Sequence, residues 1–448
     1  MKWNSYLGLG LVLFIFISCG NDSIRSSSAP RTTDQVGIIA SCTTISEAKA
    51  IATNLGGKFR VLNEKRKLIE FIGIDQAQLS KAQPKAKLKK NKLYDEVLIS
   101  GSFSSKSVSN YPFFGAHTAQ YRNSHSGRYF PHLDQVQVSN EHLGEGSVIA
   151  IVDTGVYYNH PHLSPNILIN DDNHGSKENS QDDDNNGYID DYVGWDFYNG
   201  DAYPIDDNGH GTHVAGLAAG TYMGIAPRAK ILPVKVLSSD GRGDLATIAA
   251  GILYAVDNGA DVINLSLGGS VGQEITAEVQ SIINIANQAN SKNILLVAAA
   301  GNGGADGIGD CNDNSPIYPA NIQSENIISV GSVDANNQLT DYSNFGGSTV
   351  HIAAPGGDYT TGGLYSTAIP SCFGPCNLSD IPYEAQMGTS MATPIIAGAA
   401  AVLHAIRQNA KASEIRSHLI DSVVKVENLN GLILSSGVLN LKNAVDNF

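Results

Sequence analysis

From about residue 131 onward, short and largely apolar runs are the strongest pattern in the chain. They lie at residues 148–152, 231–237, 262–267, 294–300, 327–333 and 350–353. Helical periodicity separates several of them, most clearly over residues 244–257 and 276–290. Strands that are apolar on both faces and alternate with helices are typical of a parallel sheet covered on both sides. The pattern predicts an α/β fold over residues 131–448, a doubly wound, mostly parallel sheet with helices on both faces.

A second pattern occupies residues 36–99. Alternating strand patterns at 36–40, 58–62, 68–72 and 94–99 are combined with helical patterns at 45–55 and after Asp75. The order βαββαβ predicts a small α+β domain of the ferredoxin-like kind. Residues 100–130 are rich in Ser, Gly and aromatic residues without periodicity, which predicts a linker.

The first 35 residues have the character of a targeting segment. Lys2 precedes the apolar residues 7–17, a stretch shorter than the roughly 20 residues that span a bilayer, so residues 1–18 are predicted to be a signal peptide. Cys19 follows Phe-Ile-Ser in a string that resembles a bacterial lipobox, which predicts an acylated Cys19 and a flexible tether over 19–35. We therefore expect an exported cell-envelope lipoprotein whose lipid is its contact with the membrane; ordinary cleavage and full secretion are the alternative.

The charge of the chain is negative and unevenly distributed. The formal net charge is −14, which argues against nucleic acid as a partner. Residues 56–95, however, hold eleven Lys and Arg against four acidic residues. This cationic segment is suited to dock on the acidic remainder, and a solvated lysine face is the alternative. If Cys19 is acylated, the pairing among the other cysteines stays open; they are Cys42, Cys311, Cys372 and Cys376.

Three polar side chains stand at the ends of predicted strands or helices. Asp153 ends a buried strand, His210 opens a small-residue helix within Gly-His-Gly-Thr-His, and Ser390 lies at the start of another within Gly-Thr-Ser-Met-Ala-Thr-Pro. A serine becomes a nucleophile when a histidine removes its proton, and a carboxylate orients that histidine. The order Asp, His, Ser along the chain is the order found in subtilisin. We expect His213, inside the glycine-rich helix, to be structural.

The strings around Asp153, His210 and Ser390 resemble the three signature motifs of the subtilase family, over residues 131–445. The resemblance implies a secreted serine endopeptidase that cleaves proteins through an acyl-enzyme, without a cofactor for catalysis and as a monomer. It also implies that residues 36–99 are a pro-domain, a partner of the enzyme that assists folding and then inhibits, removed by self-cleavage within 100–130.

Further site residues follow from the same resemblance. Asn302 matches the family's oxyanion donor, and the Ser390 amide would be the second donor. Two segments match the strands that bind an extended peptide, and Ile317 matches the floor of the pocket before the scissile bond; the segments are Gly241, Arg242, Gly243 and Ser266, Leu267, Gly268. Met387 departs from the family pattern, where Asn is common.

An acidic loop at residues 182–191 has the alternating oxygen ligands and central glycine that suit a hard cation. The predicted calcium ligands are Asp182, Asp184, Asn186, Tyr188 and Asp190. We expect the calcium to be structural, because triad chemistry needs no metal. A solvated acidic loop is the alternative.

Three other functions fit the sequence less well than that of a peptidase. An inactive subtilase-like fold kept as a peptide-binding surface protein would lack a triad member or the oxyanion donor, and none is missing. A nucleotide-binding α/β protein would need a glycine signature opening a helix, which is absent. A lipase-type hydrolase would carry Gly-x-Ser-x-Gly, whereas Ser390 is followed by Met-Ala.

Overall fold

The computed structural model describes residues 37–41, 45–54, 56, 58–63, 68–72, 130–138, 141–170, 179–270, 277–304, 306–370 and 383–448. The predicted signal peptide, Cys19, the tether and the linker lie outside the described residues, as do Cys42, Cys372 and Cys376. Cys311 is described and carries a free thiol, so the disulfide pairing stays open.

Sixteen strands and eight α-helices make up the described part of the chain. The strands are β1 (Gly37–Ser41), β2 (Lys58–Asn63), β3 (Leu68–Ile72), β4 (Val148–Asp153), β5 (Trp195–Asp196), β6 (Lys230–Lys235), β7 (Val262–Leu265), β8 (Gly269–Ser270), β9 (Leu295–Ala299), β10 (Ile317–Tyr318), β11 (Ile327–Val333), β12 (Ile352–Pro355), β13 (Leu364–Thr367), β14 (Tyr383–Gln386), β15 (Val424–Lys425) and β16 (Gly437–Val438). The helices are α1 (Ile45–Asn54), α2 (Pro131–Gln135), α3 (His210–Ala219), α4 (Leu245–Asp257), α5 (Ala277–Ser291), α6 (Thr389–Ile406), α7 (Ala412–Asp421) and α8 (Leu441–Asp446).

Nine strands form the main sheet, in the order β15-β16-β12-β11-β9-β7-β4-β6-β5. All neighbours are parallel except the edge pair β15 and β16. The predicted doubly wound, mostly parallel α/β fold is therefore confirmed. The sequence pattern did not reveal the short edge strands or the antiparallel β13–β14 hairpin, because two to four residues are too few to show a period.

Strand β4 explains why the central runs are apolar throughout. Ile149 and Ile151 belong to a hydrophobic cluster with residues of α3 and α6. Ala150 and Val152, which point to the opposite face, belong to a second cluster with residues of α4 and α5. Successive side chains of a strand alternate between faces, so a strand covered on both sides must be apolar at every position.

The winding of the sheet gathers several loops at one edge. Strand β4 pairs with β6 on one side and with β7 on the other, so the chain leaves the centre of the sheet in both directions. Loops after the carboxyl ends of parallel strands border a crevice at such a point. Asp153 ends β4, while Ser266 follows β7 and Asn302 follows β9.

Helix α6 is the one described helix long and apolar enough to cross a membrane by composition, and 83% of it is buried within the protein. It packs on the sheet from β4 to β12 and is the central helix of the first cluster. The sequence predicts that a helix opens within residues 388–394. In the structure this helix begins at Thr389, and Gly388 is its N-cap.

The N-terminal segment contains a three-stranded antiparallel sheet in the order β1-β3-β2, with α1 between β1 and β2. These elements correspond to the first four of the predicted βαββαβ series. The predicted helix after Asp75 and the strand at 94–99 lie outside the described residues. Strand β2 contacts α4 of the large domain.

Candidate active site

Asp153 and His210 form a buried pair at the crevice. Nδ1 of His210 lies 2.7 Å from Oδ1 of Asp153, and both side chains are 1% exposed or less. A carboxylate can only accept here, so Nδ1 carries the proton and Nε2 keeps its lone pair. Within the described residues Nε2 has no hydrogen-bond partner. The ring is therefore held in the tautomer that acts as a base through Nε2.

Close backbone contact brings the helix of His210 against the turn after Asp153. A Cβ atom added to Gly211 would lie 2.1 Å from the carbonyl oxygen of Gly155, so only glycine permits this approach. Thr154 tightens the junction, because its hydroxyl accepts a hydrogen bond from the Gly211 N–H at 2.9 Å. The glycine next to His210 in the motif is thus a packing requirement of the pair.

Asp206 connects the same two segments through hydrogen bonds of its carboxylate. Its carboxylate accepts a hydrogen bond from the Thr154 hydroxyl at 2.9 Å and from the Thr212 N–H at 2.8 Å. It also accepts from the amide of Gly209, the residue before His210, at 2.9 Å. Burial raises the pKa of Asp206, and these hydrogen bonds oppose that shift. Asp206 therefore fixes the start of α3 relative to Asp153.

Ser390 is the second residue of α6, and α6 packs against α3. Its hydroxyl donates to the backbone oxygen of Ser266 at 3.1 Å, while the Ser266 hydroxyl donates to the backbone oxygen of Ser390 at 2.8 Å. The side chain of Ser390 thus bonds to the segment after β7 and not to Nε2 of His210. Catalytic hydrogen bonds in a substrate-free site often form only when substrate is bound.

Asn302 lies on the other side of Ser390, after β9. Its side-chain oxygen accepts hydrogen bonds from the N–H and the hydroxyl of Thr389, each at 2.8 Å. A backbone N–H can only donate, so these contacts identify the oxygen end of the amide and direct Nδ2 away from Thr389. Ser390 follows Thr389 directly, and a donor at this place suits the oxyanion of an acyl transfer.

The predicted substrate segments lie around this centre. Ser266 contacts Ser390 directly, as described, and Leu267 is buried behind it. A Cβ on Gly268 would be 2.9 Å from Ile317, so Ile317 packs against this segment. Gly241, Arg242 and Gly243 belong to the turn before α4, where the amide of Arg242 donates to the hydroxyl of Ser238 at 3.1 Å.

His213 lies inside α3 and is fully buried. Its Nε2 is 2.9 Å from the backbone oxygen of Leu364, and burial lowers its pKa to about 3. A neutral imidazole bonded to the hairpin is a structural group, as the sequence predicted. Met387 is also buried, one residue before the N-cap of α6.

The acidic loop gathers some of the predicted calcium ligands. Asp182 and Asp184 both accept from the Asn186 N–H, at 3.0 and 2.9 Å. The Asn186 side-chain amide donates to Asp184 and to the buried Asp191, which sequence reasoning had not included. Asp190 does not join them, because its oxygens accept the amides of Asn179 and Ser180.

The ring of Tyr188 packs against Trp195, Phe197 and Tyr254. Within the described residues no group of three or more His, Cys, Asp or Glu side chains is arranged to hold a metal ion. As they stand, the loop residues do not form a complete ligand set.

Two supporting residues are not predicted from the sequence, although one of them, Thr389, lies in the Gly-Thr-Ser motif. Thr389 stands beside the predicted nucleophile, and Asp206 stands four residues before His210. Their roles depend on partners far along the chain, which a motif does not reveal. Lys235 also escaped, since it lies within a run that otherwise reads as a buried strand.

Comparison with known proteins agrees with this geometry. The model of the subtilase family matches residues 144–438. Thermitase from Thermoactinomyces vulgaris is 37% identical over 308 residues, which cover 67% of this chain and 89% of thermitase. Subtilisin DY from Bacillus licheniformis is 36% identical over 253 residues, covering 55% of this chain and 81% of that protein. The crystal structure of a cold adapted subtilisin-like serine proteinase superimposes with a TM-score of 0.51 at 27% identity, covering 67% of this chain and 90% of that one. The chain belongs to the subtilase family and is a serine endopeptidase that acts on proteins.

Proposed function

We propose that the enzyme cleaves peptide bonds with Ser390 as nucleophile, His210 as general base and acid, and Asp153 as the group that orients His210. The observation that carries this proposal is the buried 2.7 Å contact between Asp153 and Nδ1 of His210, with Nε2 lacking a partner among the described residues. That arrangement leaves a basic nitrogen at the crevice beside the helix that carries Ser390 in its first turn.

The reaction has two halves. When substrate binds, the Ser390 oxygen attacks the carbonyl carbon and its proton passes to Nε2 of His210. Negative charge forms on the carbonyl oxygen, where Nδ2 of Asn302 and the Ser390 amide donate hydrogen bonds. The carbon–nitrogen bond then breaks as His210 returns the proton to the leaving amine. Water attacks the resulting acyl-enzyme by the reverse sequence and releases the second product.

A fluorophosphonate probe tests the nucleophile. The wild-type protein should be labelled once, and Ser390→Ala should abolish both labelling and hydrolysis of casein. Ser291→Ala is the matched control, because Ser291 is an exposed serine at the end of α5 whose hydroxyl bonds only locally to Gln288. Labelling that survives in Ser390→Ala would refute the assignment.

The peptide substrate lies between the segments 241–243 and 266–268, with the residue before the scissile bond facing Ile317. Binding of an extended strand through its main chain accepts many sequences, and the pockets set the preference. Support comes from the position of Gly268 against Ile317 and from the two hydrogen bonds between Ser266 and Ser390. Replacing Ile317 with Gly should deepen the pocket and shift cleavage toward larger side chains.

Residues 36–99 act as a pro-domain that the enzyme removes itself. Support comes from the cationic balance of residues 56–95 against an acidic remainder and from the contact of β2 with α4. Wild-type preparations should contain a form cleaved between residues 100 and 130, and Ser390→Ala should remain full length. Added wild-type enzyme should then cleave the variant in trans; processing of Ser390→Ala on its own would contradict self-cleavage.

The enzyme is exported, and Cys19 anchors it through a lipid. The support is the sequence around Cys19, since these residues lie outside the described part of the chain. Mass spectrometry of the mature protein should show a diacylglyceryl mass on a peptide that begins at Cys19. An unmodified N-terminus near Ala29 would instead establish the fully secreted form.

Calcium binds the 182–191 loop and stabilises it. Support comes from three carboxylates within hydrogen-bonding distance of one residue, Asn186, since a cation would relieve their mutual repulsion. In the Ser390→Ala background, calcium should raise Tm and EGTA should lower it. Asp184→Asn should remove the response to calcium, and an unchanged Tm under all these conditions would rule the site out.

A further inference from the structure

The hairpin that precedes Ser390 carries an acidic side chain toward His210. In the β13–β14 pair, Glu384 lies directly opposite Ser366. Directly opposite residues of an antiparallel pair point to the same face. The Ser366 hydroxyl donates to the backbone oxygen of His213 at 2.7 Å, so this face lies on α3. Glu384 therefore faces the helix that begins with His210.

The carboxyl group of Glu384 reaches the entrance of that helix. A Cβ atom on Gly209, the residue before His210, would lie 3.4 Å from Oε1 of Glu384. The charge of Glu384 interacts favourably with His210 and unfavourably with Asp206. The site of catalysis thus has a partly buried carboxylate beside its histidine that the triad does not use.

Gln386 holds this carboxylate in place. Its side-chain amide donates to Oε1 of Glu384. Gln386 is only 5% exposed, and its own side-chain oxygen is buried without a hydrogen-bond partner in the described part of the protein. A buried amide oxygen with no donor is costly, and here the amide is oriented so that its N–H group meets the carboxylate. Glu384 is therefore held in position by a buried neighbour.

The strand order of the main sheet indicates which residue of a bound substrate lies next to Glu384 and Gln386. Asn302 follows β9, Ser266 with its bond to Ser390 follows β7, and the Asp153–His210 pair belongs to β4. Since β7 lies between β9 and β4, Asn302 and His210 flank Ser390 on opposite sides. The carbonyl oxygen must face Asn302, and the leaving nitrogen must face His210, which protonates it. The residue after the scissile bond consequently lies on the side of Glu384.

We propose that Glu384 and Gln386 form a subsite for a cationic side chain, Arg or Lys, on the residue that follows the scissile bond. A guanidinium group offers several N–H donors in one plane and can donate to both oxygens of the Glu384 carboxylate, which Gln386 holds in position. A partly desolvated carboxylate favours a cation and disfavours an acidic side chain at the same place. The proposal rests on the catalytic assignment made above.

Matched peptides test this subsite. Internally quenched peptides differ only in the residue after the scissile bond, which is Arg, its neutral isostere citrulline, or Glu. The wild-type enzyme should cleave the Arg peptide with a kcat/KM about tenfold above that of the citrulline peptide, the scale of a partly exposed charge pair. Glu384→Gln should bring this ratio close to one, while Glu427→Gln, an exposed carboxylate distant in sequence, should leave it unchanged.

Two further measurements keep the result unambiguous. Raising salt from low to high concentration should reduce the Arg to citrulline ratio of the wild-type enzyme, which needs no variant. Fluorophosphonate titration counts the active sites in each preparation. A ratio near one in the wild-type enzyme, or a ratio unchanged in Glu384→Gln, overturns the subsite but leaves the peptidase assignment intact. If no peptide is cleaved and no site is labelled, the catalytic assignment fails and the subsite with it.

Discussion

The side-chain oxygen of Asn302 accepts hydrogen bonds from both the N–H and the hydroxyl of Thr389, each at 2.8 Å. The hydroxyl of Thr389 also accepts from the Gly301 N–H at 3.2 Å. Thr389, the residue before the proposed nucleophile, therefore sets the orientation of the Asn302 amide, the proposed oxyanion donor. Serine and amide are placed by one dipeptide, so a shift of α6 would move both together.

Removal of Asn302 and of the Thr389 hydroxyl should have graded effects. Asn302→Ala should lower kcat by about 10²–10³-fold with KM nearly constant, the range known for the corresponding donor of subtilisin. Thr389→Val keeps the N–H contact but loses the hydrogen bonds of the hydroxyl to Asn302 and to the Gly301 N–H, so kcat should fall by about tenfold. Steady-state kinetics on one peptide measures both; equal losses would show that the hydroxyl contact alone orients the amide.

Lys235 is a buried cation opposite Asp153 in the sheet and should be important for stability. Its ammonium donates to the backbone oxygens of Thr154 and Leu237, at 2.7 and 2.8 Å, and to the carboxylate of Asp207 at 2.7 Å. Lys235→Met leaves these acceptors without their donor, so the free energy of unfolding should fall by about 2–4 kcal/mol.

Urea unfolding in the Ser390→Ala background, which prevents autolysis, measures this loss. Lys230→Met is the matched control at the other end of β6, since the ammonium of Lys230 makes an exposed contact to Pro165. Its effect should stay within about 0.5 kcal/mol. Equal destabilisation by the two substitutions would contradict the role given to Lys235.

Buried histidines should make the folded state sensitive to acid. Burial lowers the pKa of His162 to about 4 and those of His213 and His351 to about 3, from an ordinary value near 6.5. Below pH 6.5 the unfolded chain binds protons at these positions that the folded chain does not, so stability falls as the pH drops toward the folded values. Above pH 6.5 neither state is protonated and this dependence disappears.

His351 isolates one of these contributions. Its Nδ1 accepts the Ser329 N–H at 2.8 Å, a contact that His351→Asn can reproduce with its side-chain oxygen. At pH 5 the unfolding of this variant should take up about one proton fewer than that of the parent. Urea titrations between pH 7 and pH 4.5 measure the difference, with His142→Asn as control. A pH slope identical in parent and variant would refute the assignment.

The preference for Arg after the scissile bond should itself depend on pH. Burial raises the pKa of Glu384, and Asp206 adds to the shift while Gln386 and His210 oppose it. The carboxylate is charged above that raised pKa and neutral below it, so the kcat/KM ratio of the Arg and citrulline peptides should fall as the pH is lowered. Any effect of pH that is common to the two peptides cancels in the ratio. A ratio constant from pH 8 to pH 5 would contradict this prediction.

The amino-acid sequence alone predicts the architecture, which the structure confirms, and it also supplies the residues that we propose to react. Runs such as residues 148–152 are apolar throughout because both faces of β4 are covered, and that requirement is visible without coordinates. Asp153, His210 and Ser390 stood out because each lies in a short motif at the end of an element, where local chemistry is recorded in neighbouring residues.

The contacts between side chains that are distant in sequence depend on the tertiary structure. Lys235 lies in an apolar run, yet its ammonium finds two carbonyl oxygens and a carboxylate that folding brings together. Asp190 lies in the acidic loop, yet it turns toward Asn179 and Ser180. Glu384 lies in no motif, and the hairpin places it at the start of α3. Periodicity and motifs report the environment of a residue and its near neighbours, whereas pairing across the fold depends on backbone geometry that no local pattern contains.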